Sequence, residues 1–402
     1  MTLVSLDDVV RARAVLNGAI RVTPVERSLV LGSLVGGEVY LKCENLQRTG
    51  SFKFRGGYLR ISRLSEAERA CGVVAASAGN HAQGVALAAK LHGIACTVFM
   101  PVGAPLPKVE ATQGYGAEVR LVGTTVDDAL AAAQAYAAEC GAVFIHPFDH
   151  ADAIAGQGTA GLEILEQCPE VRTVVAGLGG GGLVSGVATA VKGMKPDTKI
   201  IGVQAAGAAP YPPSLAAGHL VTLDSISTMA DGIAVRRGGE LTFEHIGKLV
   251  DEVRTVSEEA LSQALLLCLE RAKLVVEPAG AASVAAILDH PEAFEPPVVA
   301  VLSGGNIDPM LMLKVIRHGM ASAGRFLAFR LLLPDRPGEL AGLLAALAEM
   351  GANVCDVEHV HTVPRVSLGQ VEVSLSVETR GADHSAAVLD SLRTAGYAPA
   401  FA

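Results

Sequence analysis

Short unbroken apolar runs, separated by amphipathic stretches, recur along most of the chain. Runs at 39–42, 72–76, 94–100, 118–122, 142–145, 171–176, 199–203 and 298–302 predict strands, and apolar residues spaced three or four apart over 6–19, 80–91, 125–140, 152–166, 257–272 and 279–288 predict helices. The first of these helices has Ser5 as its N-cap and Asp7 and Asp8 in its first turn, where acidic groups suit the helix dipole. Strands apolar along their whole length are those covered on both faces. Their alternation with helices predicts an α/β fold of doubly wound parallel sheets with right-handed crossovers. The segment 205–239, rich in Ala, Pro and Gly, has no clear period and reads as loop with short helices. After Ala321-Ser322-Ala323-Gly324 the pattern changes: strand 326–333, a turn, helix 339–350, half-solvated alternating strands 353–360 and 370–378, helix 382–394 and a final strand over 397–401. That is the ferredoxin-like βαββαβ order and predicts a separate domain of regulatory size.

The 402 residues are enough for two or three domains. Half are apolar, Trp is absent, and Ala, Val, Leu and Gly dominate, which suits close packing of helices on parallel strands. The net charge of −9, with no basic block, excludes a nucleic-acid partner. Seven scattered cysteines without a Cys-x-x-Cys read as reduced thiols of a cytoplasmic protein. The start of the chain lacks the pattern of a signal peptide, and no apolar run approaches the roughly 18 residues of a membrane span.

Four stretches carry candidate chemistry. In Ser51-Phe52-Lys53-Phe54-Arg55-Gly56, two phenylalanines would desolvate the Lys53 ammonium and Arg55 would add a like charge. Both effects favour the neutral amine that attacks carbonyls; the alternative is a plain strand or helix start with an exposed lysine. Gly177-Leu178-Gly179-Gly180-Gly181-Gly182 follows a buried strand and opens a helix, the setting of a phosphate cradle. It also contains G-x-G-x-x-G, yet the next strand ends in Gln204 rather than the acidic residue a dinucleotide ribose needs. Glycines that merely allow tight helix–sheet packing are the third reading. Ser77-Ala78-Gly79-Asn80-His81 suits a carboxylate at a helix start, or simply caps that helix. Ser303-Gly304-Gly305-Asn306 ends the last core strand, and ligands of open α/β sheets bind at such ends. His146 with His150, and His359 with His361, read as hydrogen-bonded or solvated histidines rather than metal pairs.

Taken together, these four stretches, with Glu277-Pro278-Ala279-Gly280-Ala281 and Ala230-Asp231-Gly232-Ile233-Ala234-Val235, resemble the fold-type II pyridoxal-phosphate enzymes, and within them the threonine ammonia-lyases (threonine dehydratases). Leu333-Pro334-Asp335-Arg336-Pro337-Gly338-Glu339-Leu340 is similar to the start of an ACT domain. The resemblance implies two α/β domains of the tryptophan synthase β-like kind. One is a large cofactor domain over 1–43 and 147–320, and the other a small inserted domain over 44–146. A linker at 321–325 and an ACT domain over 326–402 would follow. It further implies that Lys53 holds pyridoxal 5'-phosphate as a Schiff base and removes the substrate α-proton. Gly179, Gly180, Gly181 and Gly182 would bind the phosphate, and Asn80 the ring hydroxyl oxygen. Ser303 would face the pyridine nitrogen, with Phe52 and Glu277 also beside the cofactor. Ser77, Ala78, Gly79, Asn80 and His81 would hold the substrate carboxylate. The reaction implied is β-elimination of water from L-threonine, with L-serine secondary, giving 2-oxobutanoate and ammonia. Serine racemases of this fold carry a second acid/base serine where this chain has Ala78, so elimination is favoured over racemisation. Many relatives hold a divalent cation through a glutamate and an aspartate near Gln204; their absence implies no such metal here. The turn Asp335, Arg336, Pro337 and Gly338 would bind an amino-acid effector, isoleucine with valine as antagonist, in a homo-oligomer (dimer or tetramer).

Overall fold

The structure, a computed structural model, describes residues 2–361 and 367–401, so Met1 and Ala402, the outer bounds of the expected domains, lie outside the described residues. Contacts divide the chain into Met1–Met312 and Leu313–Ala402. In the first unit the strands in chain order are β1 (Val25–Arg27), β2 (Val39–Lys42), β3 (Val73–Ala76), β4 (Cys96–Met100), β5 (Glu118–Leu121), β6 (Val143–Phe144), β7 (Thr173–Gly177), β8 (Lys199–Ala205), β9 (Glu252–Val256) and β10 (Val298–Val301). They form two sheets, one ordered β1-β2-β10-β7-β8-β9 and the other β5-β4-β3-β6. Every pairing is parallel except that of β1 with β2. The chain leaves the larger sheet after β2, builds the smaller one with β3 to β6, and returns with β7.

The apolar runs become strands within a residue or two of their expected ends. The misses have a common cause. β9 is an edge strand, and β1 is a three-residue edge strand with two exposed side chains; neither needs an unbroken apolar run. The helices Leu29–Val35, Leu106–Gly114 and Glu240–Leu249 likewise have no counterpart among the expected elements. The expected helix over 257–272 stops at Leu267 and passes into one π turn, Cys268–Ala272. In the larger sheet Val174, Ile200, Val299 and Val301 form one core with Val184, Val187 and Val191 of the helix Gly182–Met194. These cores hold β3, β7 and β10 so that their C-terminal ends open into the loops at 77–79, 178–181 and 303–306. No helix among the described residues is long and apolar enough to cross a membrane.

The second unit has strands β11 (Phe326–Pro334), β12 (Asn353–Val360), β13 (Gln370–Glu378) and β14 (Ala400–Phe401) in an antiparallel sheet ordered β12-β13-β11-β14. Helices Glu339–Glu349 and Ala382–Thr394 complete the βαββαβ order. Leu327, Phe329, Leu331 and Leu333 alternate along β11 and join Val371, Val373, Leu375 and Val377 of β13 in a core with Leu343, Leu347, Val388 and Leu392. The clean alternation expected of β12 is interrupted. Its register shifts between Val354 and Asp356, and as an edge strand it has no fully buried side chain.

Candidate active site

After β2 the backbone makes two tight turns, with Thr49 and Gly50 both at positive φ (60° and 72°). Ser51 then pairs with Gly304, and the Phe52 amide donates to the Ser303 carbonyl at 3.1 Å, tying this segment to the end of β10. Lys53 is the first residue of the helix Lys53–Ser62. Its Nζ donates to the Pro147 carbonyl at 2.9 Å and lies 5.3 Å from the centre of the Phe52 ring. Burial pushes the amine down to about 8, against the opposing pull of the Glu277 charge. Of the two phenylalanines only Phe52 sits beside the amine, since Phe54 is buried in the core of the smaller sheet. The expected part of Arg55 is corrected outright. Its guanidinium turns away from Lys53 and is buried between Glu44 and Glu163.

The glycine loop after β7 presents amides to the same space. The Gly180 carbonyl accepts from Tyr211 Oη at 3.0 Å and from Thr242 Oγ1 at 2.7 Å. In a trans peptide the N–H points opposite to the C=O, so the Gly181 N–H is turned away from those two hydroxyls. The amides of Gly179, Gly180 and Gly181 have no acceptor among the described residues. Gly181 has φ of 102°, and a Cβ there would come within 2.7 Å of Thr242 Cβ, so both conformation and space require glycine. Gly182 then begins the helix Gly182–Met194, adding positive potential to the free amides.

The third wall is the start of the helix Asn80–His92. A Cβ at Gly84 would lie 3.2 Å from the Lys53 carbonyl carbon, and this close approach sets that helix directly against Lys53. Asn80 Nδ2 donates to Glu277 Oε1 at 2.5 Å, and Asn80 Oδ1 accepts from Asn306 Nδ2 at 2.8 Å. Burial lifts the Glu277 carboxyl to about 7, helped by the Asp231 charge; the Asn80 bond and the Lys108 and Lys53 charges act the other way. His81 sends Nε2 to the Ile145 carbonyl at 2.8 Å. Burial first, and then the Lys53 charge, lowers it to about 3, so its ring is neutral. Ser303 Oγ donates to the Ala279 carbonyl at 3.3 Å.

One cavity of about 200 Å³ gathers these walls. It is lined by Phe52, Lys53, Ser77, Ala78, Gly79, Asn80, His81, the four glycines at 179–182, Glu277 and Ser303, which are all the candidates read from the first unit. Asp335, Arg336, Pro337 and Gly338 belong to the second unit, where they form the turn between β11 and the helix Glu339–Glu349. His146 and His150 are local loop acceptors: each Nδ1 takes a nearby backbone N–H, from Asp149 at 2.8 Å and from Asp152 at 3.1 Å. The rings of His359 and His361 lie 4.6 Å apart on the exposed strand β12 and its end. The Gln204 amide ties Leu178 to Tyr211. Sequence reasoning missed Lys108, Pro147, Phe148, Tyr211 and Thr242; Lys108, Pro147 and Phe148 line the cavity, and the other two pin its floor. Asp231 and Asn306 lay inside stretches already singled out, and Pro147 and Phe148 lay between the two histidines His146 and His150.

A profile described as "Pyridoxal-phosphate dependent enzyme" matches residues 16–304. The chain belongs to this family. As a pyridoxal-phosphate dependent enzyme it is 46% identical, over 395 residues covering 98% of each chain, to a protein of Thermotoga maritima named L-threonine ammonia-lyase. The structure of the processed form of threonine deaminase isoform 2 from Solanum lycopersicum superposes with a TM-score of 0.74 at 36% identity, covering 79% of this chain and 95% of that one. Maize serine racemase superposes with a TM-score of 0.75 at 36% identity, covering 78% and 97%.

The residues present fit the family's cofactor. Three acceptor-free amides at a helix N-terminus suit a phosphate, and a buried amine of low basicity suits an aldehyde. The amine also sets a pH dependence. With its basicity lowered to about 8, the neutral form grows in as pH rises through that value. At pH 7.5 about one amine in four is neutral, against about one in a thousand for an ordinary lysine. The rate at which apoprotein reloads pyridoxal phosphate is therefore expected to climb through pH 8 and to level off about one pH unit above it. A climb that continues toward pH 10 would contradict this reading of Lys53.

Proposed function

We propose that this enzyme deaminates L-threonine to 2-oxobutanoate and ammonia, with L-serine as a weaker substrate. The observation that carries the reading is the buried Lys53 amine facing acceptor-free glycine amides across one small cavity. The Thermotoga maritima relative, matched end to end, supplies the substrate. Bound there, pyridoxal phosphate supplies the electron sink that stabilises negative charge at the substrate α-carbon. The amides of 179–182 would hold its phosphate, and Asn80 and Ser303 its ring. Lys53 Nζ, beside the Pro147 carbonyl, would take the α-proton of the bound amino acid. The same ammonium would return that proton to the departing β-hydroxyl, which leaves as water, and the released enamine would tautomerise to the imine and take up water to give the 2-oxoacid and ammonia. The loop 77–81 orients the carboxylate. Maize serine racemase shares the fold, but Ala78 has no proton to give or take, which favours elimination. The test is 2-oxoacid release from threonine, serine and D-serine. Release from threonine at the highest kcat/KM is expected, and its absence would end the proposal.

We further infer that the βαββαβ unit is an ACT domain that binds an amino acid at Asp335, Arg336, Pro337 and Gly338. Isoleucine fits as feedback inhibitor and valine as antagonist, in a biosynthetic enzyme assembled as a homo-oligomer. The domain bounds implied by the resemblance are part of the same proposal. Seven free thiols support a cytoplasmic setting. Isoleucine is expected to lower the rate at subsaturating threonine, and Asp335→Ala with Arg336→Ala to weaken that response severalfold. An isoleucine response unchanged by these substitutions would remove the site from this turn.

A further inference from the structure

Lys108 lies in the helix Leu106–Gly114, which follows β4 of the smaller sheet, and Asp231 lies in the turn Asp231–Ile233 between β8 and β9 of the larger one. Their side chains meet at 2.5 Å, and both line the cavity that holds Lys53. The two partners differ in exposure: the Lys108 side chain is 10% exposed and the Asp231 side chain 55%. A buried ammonium is therefore matched with a carboxylate that water already solvates. Asp231 can therefore part from the pair into water, whereas the buried ammonium then needs another anion in its place.

The ammonium is also placed over the start of the helix Asn80–His92. A Cβ at Gly79 would find Lys108 Nζ at 3.9 Å and no other heavy atom beyond its neighbours within 4 Å. The loop 77–81 offers amide and hydroxyl donors but no charge. Of the ionisable side chains lining the cavity, Lys53 is committed to the cofactor, His81 is neutral, and Asp231 and Glu277 are acids. Lys108 is the remaining cation among the described lining residues.

We propose that Lys108 is a substrate-binding residue that takes the amino acid's α-carboxylate at the loop 77–81, exchanging the half-exposed Asp231 for it. This rests on the reading of the cavity as an amino-acid site. A carboxylate held in the drier cavity attracts the ammonium more strongly than the half-exposed Asp231 does, set against the cost of its own desolvation. Asp231 holds the Lys108 side chain over the loop while the site is empty. The pair thus has a switching task and is not a fixed strut between the two sheets.

The experiment compares L-2-aminobutyrate, which has the carboxylate but no leaving group, with its amide. Binding to holoenzyme is read from the absorbance of the bound cofactor. In Lys108→Met the acid is expected to bind roughly 10- to 100-fold more weakly, the range of a lost charge-assisted hydrogen bond, with the amide unchanged. KM for threonine should rise by a similar factor, with a smaller change in kcat. Lys108→Arg should retain the preference for the acid, and Asp231→Asn, which removes the competing carboxylate, should tighten binding of the acid and not of the amide. If Lys108→Met and Asp231→Asn weaken acid and amide alike, the pair is a strut and the proposal fails. It fails equally if Lys108→Met binds the acid as wild type does. Lys108→Gln repeats the measurement should methionine prevent cofactor loading. Wild-type enzyme that prefers the acid but releases no 2-oxobutanoate from threonine would overturn the activity while leaving Lys108 in its place.

Discussion

Lys53→Ala is expected to abolish 2-oxoacid release from threonine and to leave a protein that no longer retains its cofactor covalently. Two losses combine. The amine held beside the Pro147 carbonyl and the Phe52 ring disappears, and with it the group that takes the α-proton. Loss of positioned proton transfer alone costs roughly 10²–10⁴-fold in rate, and the loss of attachment adds to this. Lys53→Arg is the sharper control. It keeps the charge, but a guanidinium stays protonated at any working pH and cannot attack a carbonyl, so it should be as inactive as alanine. In wild type, borohydride reduction followed by peptide mapping should place the label on Lys53. A label on another lysine, or an active Lys53→Arg enzyme, would overturn the assignment.

Much of this site was legible because its parts are local. A strand end, a few glycines and a helix start occupy six residues or so, and the same few neighbours give them their meaning. Thus Gly179 to Gly182, Asn80 and Ser303 could each be singled out before their common cavity was known. Parts that depend on distant partners were silent or misread. Arg55 looked like a like charge beside Lys53, but in a helix residues two apart point to different sides, and its partners are Glu44 and Glu163. Tyr211, in the 205–239 loop, and Thr242, on the helix Glu240–Leu249, reach the site through the Gly180 carbonyl, which no local pattern announces. Lys108 follows Pro107 on an unforeseen helix and acquires a role only when Asp231 arrives across the cavity. The same holds for the fold. Strands buried on both faces show as apolar runs, whereas the edge strands β1 and β9 take their place from hydrogen bonds to a neighbour.

Replacing Arg55 by Leu should be the most destabilising single change in the first unit. Arg55 donates from Nε and Nη2 to Glu44 at 2.8 and 2.7 Å and from Nη1 and Nη2 to Glu163 at 2.6 and 2.9 Å. Lys42 Nζ reaches Glu163 as well, at 2.5 Å, and all four side chains are almost wholly buried. Leucine would leave two buried carboxylates sharing one ammonium, a loss of about 3–5 kcal/mol. Because Arg55 lies two residues beyond Lys53 in the same helix, the loss should also loosen cofactor retention. The pH dependence has a definite sign. Burial alone would raise the Glu44 carboxyl, but the Arg55 charge and hydrogen bonds, joined by the Lys42 charge and the Thr23 hydroxyl, together outweigh it and hold it below its ordinary value. A depressed carboxyl contributes stability above its unfolded value, and that contribution is lost as pH falls through the folded value. In the leucine variant the depression is relieved, so its deficit against wild type should be full at neutral pH and shrink as pH drops below about 4.5. Adding Glu44→Gln to Arg55→Leu removes one stranded charge and should recover part of the loss at neutral pH. Melting curves of the three proteins at pH 7 and pH 4 decide the matter. A deficit independent of pH and untouched by Glu44→Gln would mean that Arg55 stabilises the helix by packing alone.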